Sequence, residues 1–442
     1  MPDLSAWETR LIREWRILHG SVGESRGKKT KGSSRKASQK GIENQEVRDF
    51  GRGRVSDWSG SLSPQELARA AEDLLQLQRG LTGERSLIGS AYMEEICGLG
   101  AYLLFYWFTS YAQTWGILEM ANRAMAAQSA VFPTFQAGND SIKGSQLRIL
   151  DLGSGPAPCG LAIADWFRSY GQYQHKTQYE IEITACDQSH LALQVAQNLA
   201  GSAQYAFNLI ARWRAGRDPI PDGSYHCIVL GHLLNELWKQ AEDRLEKQEA
   251  LLEGLKRSLA PGGILVILEP ALLGTGRDLL HLRDRLLDTG WQVLAPCFNR
   301  LPCPALAQPN QTCHSDFEWD PPRTVRDLVR RTGLDKDLVK TTALVLSRGS
   351  GEPEAIRAAE NGNRSRLYRV VSEPMLNKAG RTRLIICGTE GRIPFSAKLG
   401  EGFPSEAVFK KLRRSDAIIL NRPKQRETGL AVGPETEITL FS

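Results

Sequence analysis

The sequence predicts an α/β protein: a doubly wound parallel sheet with a helical subdomain before it, a cysteine-rich loop inserted near its end and a small β-rich extension after it. Three observations carry that expectation. Short apolar strands alternate with helical stretches between Leu147 and Leu268, the pattern of parallel strands joined by crossover helices. A glycine-rich turn, Asp151-Leu152-Gly153-Ser154-Gly155-Pro156, follows the first of those strands. Further on, Cys297, Cys303 and Cys313 fall in a proline-studded stretch that continues neither pattern.

Length and composition frame these features. A chain of 442 residues exceeds what one hydrophobic core serves, so about two or three folding units are expected. The apolar share of 41% and charged share of 24% are those of a globular protein, and the net charge of +6 is mild. The start lacks a basic, then apolar, then small-residue leader, so the expected location is a reducing one, the cytoplasm. There, clustered thiols point to metal rather than disulfides. Ile96–Leu118 is long and apolar, but Thr109, Ser110, Gln113 and Thr114 interrupt it. It therefore reads as a buried core helix, with no membrane partner.

In chain order, residues 1–20 place Leu4, Trp7, Leu11, Trp15 and Leu18 at helical spacing, an amphipathic helix. Residues 21–60 turn to Gly, Ser, Lys and Arg. Such a stretch buries too little to offset its ordering entropy, so a disordered basic linker is expected, either a solvated spacer or a tether attracted to phosphate. Order resumes at Ser63-Pro64-Gln65-Glu66, a capping box with proline at the first helical position. Residues 61–140 read as a helical subdomain.

Residues 141–350 carry the sheet. Leu147–Leu150 runs into the glycine turn, where backbone can approach a ligand that side chains would exclude. A helix follows from Cys159 to about Tyr170. The next strand, Tyr179–Cys186, ends in Asp187, an acid placed to accept from both hydroxyls of a ribose. A helix around His190–Leu199, a strand at Cys227–Leu230 and a charged helix over Ala241–Leu259 precede Ile264–Leu268, which is closed by Glu269-Pro270. Helix Gly276–Thr289 and strand Trp291–Leu294 come next. Thr341–Ser347 reads as the closing strand, which makes 295–320 an insertion. The helix before that strand bears Arg323, Arg326, Arg330 and Arg331, either a phosphate grip or a solvated face. Residues 365–420 form a β-rich extension containing Cys387, and from Asn421 onward the tail reads as weakly structured.

The order of the glycine turn, the acid closing strand two and the Leu259-Ala260-Pro261-Gly262-Gly263 run resembles the Rossmann-like class I S-adenosylmethionine-dependent methyltransferases. That resemblance implies that Asp151, Gly153, Ser154 and Gly155 line the methionine side of the cofactor and that Asp187 holds its ribose. Ala157 stands where a third glycine often falls. Neither an Asn-Pro-Pro-Tyr loop nor a Ser-Pro-Pro-Cys nucleophile is present, so no catalytic residue is named.

The cysteine stretch has the spacing C-x5-C-x9-C, with Pro296, Pro302, Pro304 and Pro309 stiffening the loop. Three thiols leave a tetrahedral ion or a four-iron cluster one ligand short, and His314 or Cys387 can supply it. All-thiolate ligation suits zinc or iron–sulfur. The gaps are wider than the C-x2-C knuckles of zinc ribbons and favour iron–sulfur. Cys97, Cys159, Cys186 and Cys227 sit among apolar residues and read as small buried hydrophobes.

Taken together, Ala295-Pro296-Cys297, Leu301-Pro302-Cys303-Pro304, Cys313-His314, Leu338-Val339-Lys340 and Cys387-Gly388-Thr389-Glu390-Gly391-Arg392 make the chain resemble the methyltransferase-like family of mitochondrial and bacterial small-ribosomal-subunit proteins. The likeness runs from the helical subdomain to the β extension. It implies a [4Fe-4S] cluster on Cys297, Cys303, Cys313 and Cys387, and a monomer that acts on the small ribosomal subunit and its rRNA during assembly. An active rRNA methyltransferase using S-adenosylmethionine is the alternative. After Glu269-Pro270 the chain has Ala271-Leu272-Leu273-Gly274 where that family has Gly-Thr-Pro, so no catalytic role is carried over there.

Overall fold

The computed structural model describes residues 1–26, 60–83, 87, 92–127, 145–170, 179–349, 366–378 and 380–441. Most of the expected basic linker, residues 27–59, lies outside them. Helix α1 spans Ser5–Arg26, six residues beyond the expected end. Helix α2 (Pro64–Gln78) starts on the predicted capping box: Glu66 N donates to Ser63 Oγ at 3.3 Å and Ser63 N donates to Glu66 Oε2 at 2.7 Å. Arg16 of α1 donates to the same Glu66 at 2.7 Å and, with the Ser63 bonds, lowers its carboxyl to about 2. Helix α3 (Ile96–Ala101) passes through one wide π-turn at Tyr102–Tyr106 into α4 (Trp107–Ala127). Among the described residues no helix is long and apolar enough to cross a membrane.

The central sheet then builds in chain order: β1 (Ser145–Leu152), α5 (Pro158–Tyr170), β2 (Tyr179–Asp187), α6 (His190–Ser202), β3 (Ala206–Ala211), β4 (Tyr225–Gly231), α7 (Arg244–Leu255), β5 (Leu259–Pro270), α8 (Leu273–Asp288), β6 (Trp291–Ala295), β7 (Ser315–Glu318), α9 (Arg323–Thr332) and β8 (Leu338–Arg348). Its order is β3-β2-β1-β4-β5-β8-β6, with β7 added against β8. The pairs β1–β2, β2–β3, β1–β4 and β4–β5 are parallel, while β8 runs antiparallel to β5, β6 and β7. Strands β3 and β7 are additions to the sequence reading. Both are short, and β3 alternates exposed with half-buried positions because it is an edge.

The N-terminal helices do not form a subdomain with a core of their own. Leu11, Leu74, Leu104 and Trp107 share one continuous core with α5, α6 and one face of the sheet, while α7 and α8 cover the other face. Asp165 of α5 fixes the docking: it accepts from Trp7 Nε1 at 2.8 Å and from Tyr111 Oη at 2.6 Å. The apolar stripe of α1 is thus spent inside the molecule, with Leu11 and Trp15 at most 2% exposed.

A second eight-stranded sheet follows: β9 (Arg366–Val370), β10 (Met375–Leu376), β11 (Thr382–Gly388), β12 (Gly391–Ala397), β13 (Ala417–Asn421), β14 (Lys424–Arg426), β15 (Gly429–Ala431) and β16 (Glu437–Phe441). The last three correct the expectation of a weakly structured tail. Strand β16 pairs with β13 along its whole length, Ile438 opposite Leu420 and Leu440 opposite Ile418. Ile438 and Leu440 reach the extension's core, so a five-residue strand is held by pairing and alternation rather than by any long apolar run.

Candidate functional site

At the carboxyl end of β1, Gly153 and Gly155 adopt left-handed φ values of 67° and 52°. A Cβ on Gly153 would come within 2.7 Å of the Leu233 side chain, and one on Gly155 within 2.9 Å of Met93 Sδ. The left-handed backbone at both positions therefore favours glycine. The third position is also left-handed: Ala157 has φ 52° and is fully buried, an arrangement costing about 1 kcal/mol for a residue with a Cβ. Asp151 points back to the protein, its Oδ2 accepting from Gly160 N at 2.8 Å. Burial pushes its carboxyl up to about 7, against the pull of that N–H. Asp187 holds the turn from the other side. Its Oδ2 accepts from Gly155 N and its Oδ1 from Ser189 N, both at 2.8 Å, and burial raises its carboxyl while the N–H groups oppose. The Gln188 N–H adds a third backbone bond to the same carboxylate.

Asp151, Gly153, Ser154, Gly155 and Asp187 all line one cavity of about 660 Å³, within the usual range for small-molecule sites. Sequence reasoning missed much of its remaining wall. His232, left-handed at φ 59°, faces Gln113 with Nε2 3.0 Å from Oε1. Burial and nearby Lys336 lower its pKa to about 4, so the ring is neutral near pH 7 and Nε2–H donates to Gln113. Lys336 is itself lowered by burial, its ammonium 5.5 Å from the Phe105 ring centre and 5.8 Å from that of Tyr106. Behind that wall, outside the cavity's lining, Glu269 accepts from Leu234 N at 2.8 Å and Asn235 N at 3.3 Å, and burial pushes it up to about 8. The Gly231–Leu237 run after β4 was the available signal. The partners of its residues come from α4 and β5, which no local pattern names. A short 3₁₀ turn at Tyr92–Glu94 closes the Asp187 end, with Ser189 Oγ donating to Met93 O at 3.2 Å.

The cysteines come together elsewhere. Cys297 follows β6, Cys303 precedes a short turn, Cys313 precedes β7 and Cys387 lies in β11. All four line a second cavity of only about 30 Å³. The loop is tied to the extension by Asn299 Nδ2 donating to Gly388 O at 2.8 Å, by Arg392 donating to Thr312 O at 2.8 Å and by Arg369 donating to Ser315 Oγ at 2.7 Å. Arg283 of α8, fully buried, donates to Leu301 O at 2.6 Å and to Asn299 O. Burial pushes Cys303 up to about 11 and Cys387 up to about 12. Cys313 differs: burial would raise it, yet Arg369 and Arg392 bring it below the ordinary thiol value, and Arg369 Nη1 lies 3.2 Å from its Sγ. His314, the other candidate ligand, pairs with Asp316 at 3.2 Å.

Among the described residues, one trio brings metal-type donor atoms within 4.8 Å of one another, and it is His19, Asp73 and Cys97. Cys97 is exposed, against the expectation of a buried hydrophobe, while Cys159, Cys186 and Cys227 are buried as expected. On α9, Arg323 and Arg330 pair with Asp327 at 3.5 and 3.1 Å, and Arg326 pairs with Asp320 at 2.8 Å. Exposed pairs of this kind are worth little.

The strand order, with one antiparallel strand entering between the last two, and the glycine turn at the carboxyl end of β1 define a class I methyltransferase-type domain. Residues 120–395 match the family described as Mitochondrial small ribosomal subunit Rsm22, and the chain belongs to that family. No curated protein matches it. Solved structures similar to it include a methyltransferase from Pyrococcus furiosus, 13% identical over 47% of this chain and 77% of that one, TM-score 0.28. Two others are S-adenosylmethionine-dependent methyltransferases in complex with S-adenosyl-L-homocysteine. The one from Thiobacillus denitrificans is 15% identical over 46% of this chain and 86% of that one, TM-score 0.28. The one from Geobacter sulfurreducens is 18% identical over 47% and 86%, TM-score 0.27.

Proposed function

We propose that this chain is a small-ribosomal-subunit assembly factor that binds rRNA as a single chain, in the reducing compartment where that subunit is built, with a [4Fe-4S] cluster on Cys297, Cys303, Cys313 and Cys387. One observation carries the reading: four thiols from an inserted loop and a separate sheet face one small cavity, with Arg283, Arg369 and Arg392 as its nearby cations. Thiolates and the cluster they hold carry net negative charge, and guanidinium groups at that distance favour the deprotonated ligands. When bound, the cluster supplies a crosslink between the loop and the extension. Arg283, Arg369, Arg392 and Asn299 orient the two halves before the ligands close. For the RNA partner, the paired arginines of α9 and the basic residues at 28–54 are the candidate phosphate contacts. Filter binding of full-length, anaerobically purified protein to small-subunit rRNA tests this. Affinity falling steeply as salt rises is expected, and a flat salt response contradicts it.

The second reading, an active methyltransferase on rRNA, is supported by the glycine turn and by the Asp187 carboxylate, both of which line the 660 Å³ cavity. S-adenosylmethionine would sit with its methionine end along Gly153–Gly155 and its ribose on Asp187. Titration calorimetry decides whether that cavity takes the cofactor. Heat of binding that Asp187→Ala abolishes supports cofactor use, and no heat at physiological cofactor concentrations removes the enzyme reading.

A further inference from the structure

We infer that His19, Asp73 and Cys97 form a second metal site, taking a single zinc-class divalent ion that clamps the three N-terminal helices together. The site does not depend on the cluster or on methyl transfer. Each ligand comes from a different helix, His19 from α1, Asp73 from α2 and Cys97 from α3, and their donor atoms lie within 4.8 Å of one another. Gly100 permits the approach, since a Cβ there would meet His19 Cε1 at 2.7 Å.

The tautomer is set by the protein. His19 Nδ1 lies 2.8 Å from Trp15 O, and a carbonyl can only accept, so Nδ1 carries the proton and Nε2 presents its lone pair. A backbone carbonyl on the remote ring nitrogen is the usual support of a metal-bound histidine. That free Nε2 and Asp73 Oδ2 are both buried, with no hydrogen-bond partner among the described residues. Their side chains are 5% and 12% exposed. At 3.9 Å they are too far apart to bond each other and close to the separation of two ligands on one ion. Two unsatisfied polar atoms aimed at one point are costly unless something fills that point. The Asp73 carboxylate and a Cys97 thiolate would bring two negative charges to a divalent ion, with the Arg69 side chain beside the thiolate. Exposed Cys97 leaves the fourth position to water.

The same three residue types could suggest a nucleophilic triad, but the arrangement is wrong for one. A triad places the carboxylate on the nitrogen opposite the thiol, whereas here Nδ1 is taken by Trp15 O and the carboxylate, on the Nε2 side, lies with the thiol in one cluster. Burial and Asp73 also push the Cys97 thiol up, away from a ready nucleophile. The clamp has a structural consequence. The Tyr92–Glu94 turn that closes the Asp187 end of the larger cavity lies between α2 and α3, so an ion joining them anchors that wall.

Cobalt(II) titration of the full-length chain tests the site, because a thiolate in tetrahedral cobalt gives charge-transfer and visible d–d bands. Cys97→Ser and His19→Gln are compared with wild type, and Cys303→Ser serves as the control for the four-cysteine cavity. The site predicts one cobalt equivalent fewer in each of the first two variants. It also predicts a zinc-induced rise in melting temperature in wild type and Cys303→Ser that Cys97→Ser and His19→Gln lack. Cys97 is exposed, so its serine variant folds, and circular dichroism before titration verifies that. Equal stoichiometry and equal melting shifts in wild type and Cys97→Ser overturn the proposal.

Discussion

The two cavities of this chain are built on opposite plans. The larger one grows from a single strand–turn–helix: Gly153, Gly155 and Ala157 lie within five residues, and Asp187, from the next strand, holds the turn through backbone N–H groups. Its buried acids, Asp151 and Asp187, are both raised by burial, Asp151 to about 7. The smaller one takes its sulfurs from segments as far apart as Cys297 and Cys387 and surrounds them with guanidinium groups, enough to lower Cys313. A local turn positions its ligand by backbone geometry, which tolerates change elsewhere in the chain. A site spanning two sheets depends on every segment arriving, and should fail as a unit.

The sharpest way to break that contrast is Cys387→Ser, which removes the extension's only sulfur from the cavity. Iron should fall from about four per chain to background, and limited proteolysis should open the extension. Cys97→Ser should leave iron unchanged. Retention of iron in Cys387→Ser would show that the two halves are not joined through metal. Next in size is Arg283→Met, which leaves Leu301 O and Asn299 O without their buried donor and withdraws a cation from the thiols. A loss of about 3 kcal/mol in urea denaturation is expected. A loss below about 1 kcal/mol would mean that the loop is held by its prolines alone.

On the other cavity the expected effects are smaller. The folded state raises the Asp151 carboxyl from 3.8 to about 7, so it binds a proton that the unfolded chain has released. Wild type therefore loses stability as pH rises from about 4 to about 7, and the full cost stands above that window. Asp151→Asn keeps an acceptor for Gly160 N and removes the charge. It should be the more stable protein near pH 7.5, with the gap closing toward pH 4. A pH-independent gap in thermal melting would contradict this. Smallest is Ala157→Gly, which relieves the left-handed φ of 52° but adds freedom to the unfolded chain. A gain below about 1 kcal/mol is expected in the same melts, and a loss would mean that the buried methyl is needed for packing.

The difference in plan also decides what the sequence could say. The glycine turn, Asp187 and the capping box at Ser63 were legible because their partners lie a few residues away or at a fixed strand-to-strand distance. His232, Glu269 and Lys336 were not, since each becomes distinctive only when Gln113, Leu234 or Phe105 is brought beside it. Residues 61–140 read as a separate subdomain because helical periodicity reports a face without reporting what covers it, and here the sheet covers it. Strand β16 was missed for a related reason: five residues carry no period worth reading until β13 pairs with them. Cys387 was tied to the loop by family resemblance, because no spacing rule connects a cysteine to three others more than seventy residues earlier.

Iron content and visible absorption of the anaerobically purified full-length protein test the central claim most directly. The account predicts a broad brown shoulder with about four irons per chain. A colourless protein carrying one zinc on the same cysteines, or none, would contradict it.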